Sequence, residues 1–153
     1  MKKLLYLGIV LMFASWWYLS SESQVSTEIR PWGLPNPNAE GEFSTIKIDN
    51  LEVMTEDCRE MEWDEAKEVF DELGDGWRLP TKDELNILYE NRAKIGGFNT
   101  NHHSYYWSSE DNGAGYPDDE YPWSHAWTNH FDGGGEHKLP KKYAYYVRAV
   151  RSI

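Results

Sequence analysis

The chain has 153 residues and a formal net charge of −11, and 27% of its side chains are charged. Eight Trp, ten Tyr and five Phe supply enough apolar surface for a core without disulfides, which excludes an intrinsically disordered protein. The negative field excludes non-specific binding to DNA, RNA or anionic membrane, because it repels phosphate. Polyanionic glycans are disfavoured for the same reason, the densest basic run being residues 138–142.

Lys2 and Lys3 precede an apolar run over residues 4–14, extended by Trp16, Trp17, Tyr18 and Leu19. A charged start followed by an apolar stretch is the pattern of a secretory signal, with Ser21 and Ser23 as the small residues before cleavage. The expectation is therefore a signal peptide over 1–23 and an exported protein, periplasmic or at the outer surface. The run falls short of the roughly 20 residues that span a bilayer. Membrane contact is expected only through this segment, if it stays uncleaved. Residues 24–43, with Pro31, Pro35 and Pro37, read as a polar linker, and 44–153 as the folded domain.

Within the domain, Thr45-Ile46-Lys47-Ile48 and Leu51-Glu52-Val53-Met54 alternate around Asp49-Asn50, which predicts a β-hairpin. Cys58 is the only cysteine and reads as a small buried residue between strand and helix. A reactive thiol is the sharper alternative, but no His, Asn or Asp stands at a spacing that ties to it. Trp63, Ala66, Val69 or Phe70, and Leu73 fall on one face of a helix over 61–73, and Gly74 follows as its stop. The acids opposite form a solvated face.

Next comes Gly76-Trp77-Arg78-Leu79-Pro80-Thr81-Lys82-Asp83-Glu84-Leu85. Thr81 and Glu84 make a capping box, and Pro80 holds Leu79 extended. The segment is thus an extended strap with two apolar anchors, Trp77 and Leu79, that stops at a helix start. That helix is predicted over 82–93 with Leu85, Leu88 and Tyr89 inward, ending at Gly96-Gly97, and Phe98 is expected to tuck into the core. Beyond Asn99 helical periodicity vanishes. Residues 105–109 read as a short strand, 111–122 as an acidic loop, and 124–131 as a strand with Trp127, Asn129 and Phe131 on one face. After a turn at 132–135, residues 143–151 form the clearest strand. Tyr145, Val147 and Ala149 lie on one side of it, and Tyr146, Arg148 and Val150 on the other.

The strap, then Trp107-Ser108-Ser109 after Tyr106, then Ala126-Trp127 with Phe131, and last Val147-Arg148-Ala149-Val150-Arg151 form an ordered set. This set resembles the Lcl C-terminal domain family over about 46–151. That family is similar to the C-type-lectin-like fold shared with the formylglycine-generating, sulfatase-modifying enzymes. The resemblance implies an α+β fold: a twisted antiparallel sheet whose last strand returns beside the first, two helices, and long late loops that carry binding.

Candidate site residues follow from residue type. Arg78, Arg148 and Arg151 sit beside bulky apolar neighbours and read as structural ion-pair partners, Glu84 or Asp83 serving Arg78. The aromatics Tyr116, Tyr121 and Trp123 lie among polar loop residues with Asp118 and Asp119. Such residues are candidates for stacking on sugar rings or anchoring a protein. Asp111, Asp118 and Glu120, with Asp119 and Asp132 nearby, are calcium candidates, since hard cations want clustered oxygens. Calcium-dependent lectins use a Glu-Pro-Asn or Gln-Pro-Asp tripeptide and a later Trp-Asn-Asp. Here Tyr116-Pro117-Asp118 and Trp127-Thr128-Asn129 lack key oxygens, so no cofactor is expected. His102, His103, His125, His130 and His137 form no zinc spacing. The related enzymes use a C-terminal cysteine pair, and this chain has no cysteine after Cys58. The expectation is a non-enzymatic recognition or adhesion module, contacting a glycan or protein at a cell surface through residues 99–121 and 132–142. A divergent sulfatase-modifying-type enzyme and a structural assembly protein are the alternatives.

Overall fold

A computed structural model describes residues 33–35, 42–113 and 124–153. The hairpin forms as its alternation dictates. β1 (Thr45–Ile48) pairs antiparallel with β2 (Leu51–Met54), with Ile48 opposite Leu51 across the Asp49-Asn50 turn. β3 (Cys58–Met61) follows, then α1 (Trp63–Leu73), which ends where Gly74 takes a positive φ of 71°. The strap leads to α2 (Lys82–Glu90), and a single turn, α3 (Arg92–Ile95), comes after it. β4 (Tyr105–Asp111), β5 (His125–His130), β6 (Glu136–Pro140), β7 (Tyr145–Val147) and β8 (Val150–Ser152) complete the chain.

The class is α+β, but its sheet arrangement corrects the expectation in three places. There are two sheets among the described residues, β1-β2-β8 and β3-β7-β4-β5-β6, rather than one antiparallel sheet. β4 and β7 run parallel, with Tyr106 beside Tyr146. The last strand returns beside β2, not beside the first. The cause lies in one interrupted ribbon. β2 and β8 pair antiparallel, and so do β3 and β7, and the interruption falls at residues 55–57 and 148–149. The Met54 amide still donates to the Ala149 carbonyl at 3.1 Å, while the Arg148 guanidinium donates to the Met54 carbonyl at 2.8 Å. An inserted side chain thus splits what the alternation alone presents as one strand over 143–151.

The predicted second helix is also divided. The Asn91 side chain donates to the Ile87 carbonyl, and its backbone leaves helical geometry at φ −96°, ψ 9°. A short polar side chain competing for backbone groups ends α2 at Glu90, giving three helices among the described residues instead of two.

Two clusters fill the interior, and they alternate along the strands. Met54, Trp107, Val147 and Ala149 join Trp63, Ala66, Val69 and Phe70 of α1, with Trp77 and Leu79 of the strap. Val53, Tyr106 and Val150 join Leu85 and Leu88 of α2, with Phe131 and Phe98. Period-two alternation puts α1 and α2 on opposite faces. The buried indoles find acceptors: Trp63 donates to the Ser108 carbonyl at 2.7 Å and Trp107 to that of Met61 at 2.9 Å. Inside the stretch read as linker, Leu34 and Phe43 pack on the α1-side cluster, and the Gly33 carbonyl accepts from Arg59 at 2.8 Å.

Candidate functional site

The strap is built as its residues dictate. The Glu84 amide donates to the Thr81 hydroxyl at 3.2 Å, and Glu84 reaches back to accept from the Thr81 amide at 2.7 Å. Arg78 clasps both Glu84 oxygens, at 2.6 and 2.8 Å, and exchanges backbone bonds with Val150. Burial pushes the Glu84 carboxyl up, but the Arg78 fork and the Thr81 amide pull harder, and it rests below its ordinary value. The Pro80 carbonyl accepts from Ser109 at 2.8 Å, which ties the strap to β4. Arg151 donates to Glu52 at 2.8 Å and lies 4.7 Å over the Trp77 ring. These arginines hold the body together.

Arg148 is fully buried, and sequence reasoning did not identify its partner, Asp57. Arg148 Nε donates to Asp57 Oδ1 at 2.8 Å, and Nη2 stands 2.6 Å from the same oxygen. The other oxygen, Oδ2, accepts from the Tyr106 hydroxyl at 2.6 Å. Burial raises the Asp57 carboxyl above its usual value against the pull of Arg148 and Tyr106. The Tyr106 phenol is pushed up by burial and then by Asp57. The Tyr106 oxygen also accepts the Asn99 amide at 2.7 Å, and the Asn99 side chain donates to the Tyr146 hydroxyl. The hub therefore fixes the root of the loop that leads into β4.

That loop forms one wall of an open cleft of about 680 Å³. The parallel pairing of β4 and β7 brings the starts of two strands to one sheet edge, where the antiparallel β3 and β5 end. Glu60 of β3, Tyr145 and Tyr146 of β7, Asn101 and His102 of the loop, and Asp132 after β5 converge there. His102 Nδ1 stands 3.0 Å from Asp132 Oδ2. Tyr145 is wedged edge-on against Trp107 and Tyr105, at 5.0 and 5.9 Å between ring centres. Tyr105 stacks on His130 at 4.6 Å and meets His137 edge-on at 5.3 Å. Four rings from β7, β4, β5 and β6 thus continue the cleft along the sheet. Of the ranges 99–121 and 132–142 singled out by sequence, residues 100–103 and Asp132 line the cleft, whereas Glu60 and the two tyrosines carried no spacing signal.

The chain is matched by the Lcl C-terminal domain family over residues 36–151. It belongs to that family. No curated protein matches it. In this Lcl C-terminal domain the aromatic candidates Tyr116, Tyr121 and Trp123, and Asp118, Asp119 and Glu120, lie outside the described residues. Asp111 accepts from the Lys141 ammonium at 2.7 Å, which holds its carboxyl below the ordinary value. Among the described residues no group of three or more His, Cys, Asp or Glu is placed to hold a metal ion. No described helix is long and apolar enough to cross a membrane. Trp127 lies between Lys82 and Lys138, whose ammonium groups stand 4.7 and 5.1 Å from its ring centre. Cys58 is buried, and burial followed by the neighbouring Asp57 charge pushes its thiol up to about 12.

Proposed function

We propose that this chain is an exported, non-enzymatic recognition module of the C-type-lectin-like class, periplasmic or at the outer surface of a bacterium. It binds a glycan or protein ligand through late loops held on a rigid sheet. The observation that carries the reading is the open cleft of about 680 Å³, walled by loop residues and backed by interlocked aromatic rings. Loop side chains on a braced scaffold are the usual construction of binding surfaces, since loops vary while the sheet holds them in place. Export rests on the charged and apolar pattern of residues 2–19.

Against the thiol-enzyme alternative stands the state of Cys58. A buried thiol raised to about 12 presents almost no thiolate at neutral pH, and the thiolate is the nucleophile. A thermal-shift screen of the purified chain with glycans, calcium, copper and candidate partner proteins tests the proposal. A binding ligand at about a hundred times its dissociation constant stabilises by roughly 2.7 kcal/mol. A shift with calcium alone would move the reading to cation-dependent binding, and one with copper alone to the oxidising enzymes. Substrate turnover by the purified protein would end it.

A further inference from the structure

We propose that the cleft takes a primary ammonium group, presented by a lysine side chain on an exposed segment of a partner protein. This names the ligand chemistry of the recognition reading above and rests on it. Glu60 of β3 and Asp132 after β5 both line the cleft, and among the described residues no lysine or arginine lines it. The exposed His102 ring stands beside Asp132, its Nδ1 3.0 Å from Oδ2. The rings of Tyr145 and Tyr146 also line the cleft, and aromatic π-faces attract cations. Tyr145 is braced by Trp107 and Tyr105, so its ring needs no ordering when a ligand arrives. Glu60 also bears on Tyr146: after burial, it is the carboxylate beside the phenol that raises its pKa.

Charge complementarity decides between ligand classes. A neutral sugar would use the aromatic rings and the amide and hydroxyl groups of Asn101 and Thr100, and would bring no positive charge to the two carboxylates. An anion would be repelled by both, and by a chain carrying −11 overall. An ammonium satisfies carboxylate and ring together. Tyr143, 52% exposed and next in sequence to the cleft residue Ala144, adds aromatic surface of the kind that anchors protein partners.

The test is an amide-resolved NMR titration of the full chain near pH 7.5, where imidazoles are ordinarily neutral. The probes are an end-blocked Gly-Gly-Lys-Gly-Gly peptide, its Nε-acetyl form, an oligomer of free-amine glucosamine, and its N-acetyl form. The lysine peptide is expected to shift amides of residues 100–103, 132 and 144–146. Its acetylated form is expected to bind at least about tenfold more weakly, a loss of roughly 1.4 kcal/mol. The Glu60→Gln/Asp132→Asn variant should lose as much. Glu68→Gln/Glu72→Gln, an equal charge change on the exposed face of α1, should bind like the parent. Equal binding of the acetylated peptide, or equal loss in both variants, overturns the proposal. Tighter binding of the free-amine oligomer than of the peptide overturns the protein source. If only the N-acetyl oligomer shifts the cleft, the ammonium proposal fails and the recognition reading stands. If no probe shifts the cleft, the ammonium proposal fails by itself, because the recognition reading is judged by the wider thermal-shift screen.

Discussion

Replacing Arg148 with methionine isolates the interaction on which the split sheets depend. Arg148 is 0% exposed and makes a charge-assisted bond to Asp57 and one to the Met54 carbonyl, both at 2.8 Å. Methionine keeps most of the length and apolar stem, so the loss is electrostatic rather than volumetric. Removing one member of a buried pair strands the other's charge and costs about 3–5 kcal/mol. Against a total stability of roughly 5–15 kcal/mol, that is a large fraction. Asp57→Asn alone should cost a similar amount, since it strands the guanidinium while an amide oxygen still accepts from Tyr106. In the double variant neither charge is buried, and the combined loss should fall at least about 2 kcal/mol short of the sum of the single losses. Urea unfolding followed by tryptophan fluorescence gives all three values. Single losses that add within about 0.5 kcal/mol would refute a coupled pair.

Arg78→Ala should lower stability by about 1–2 kcal/mol, because its fork to Glu84 is charge-assisted but partly open to solvent. Acid should destabilise the fold. Arg151 holds Glu52 below its ordinary value, Lys141 does so for Asp111, and Asn86 followed by Lys82 does so for Glu136. Glu84 also lies low, its Arg78 and Thr81 partners outweighing burial. A depressed carboxyl contributes stability above its unfolded pKa that is lost as pH falls through the folded one. The melting temperature should therefore fall on acidification below about pH 4.5, more shallowly in Glu84→Gln. Asp57, raised by burial, works in the opposite sense. Gly97→Ala should be severely destabilising, because a Cβ there would meet the Thr55 carbonyl oxygen at 2.1 Å at a φ of +68°. Circular dichroism of the variant checks this, and a melting point within a few degrees of the parent would contradict it. Cys58 should react with a thiol reagent only after unfolding, which absorbance at native and denaturing urea concentrations will tell.

Local rules made much of the scaffold readable. Four residues, Thr81 to Glu84, contain the whole capping box, and α1 follows from the spacing of Trp63, Ala66, Val69 and Phe70. The elements that escaped reading lack that local signature. β3 buries Cys58 and Met61 with a register shift between them, so no two-residue period survives. β6 is polar, among the described residues pairs only with β5 at the end of its sheet, and finishes at Pro140, where a missing N–H costs little. The division of residues 143–151 was invisible because side-chain alternation runs unbroken from Tyr145 to Val150 while the hydrogen bonds change partner.

The cleft was harder to read for a related reason. Its loops were legible as irregular polar segments, but Asp132 reaches Glu60 and Tyr145 because β4 and β7 run parallel, while β3 brings Glu60 beside Tyr145. A parallel neighbour has no turn in the sequence to announce it. What positions that pairing is the hub. Asp57 lies three residues before Glu60, and Arg148 two residues after Tyr146. Asn99, whose side chain donates to the Tyr146 hydroxyl, gives its amide to the same Tyr106 oxygen that donates to Asp57. The fully buried arginine therefore holds the body together and sets the spacing of the surface where a ligand would sit. A fold that kept its helices but lost Arg148 should keep its secondary structure and lose the cleft first.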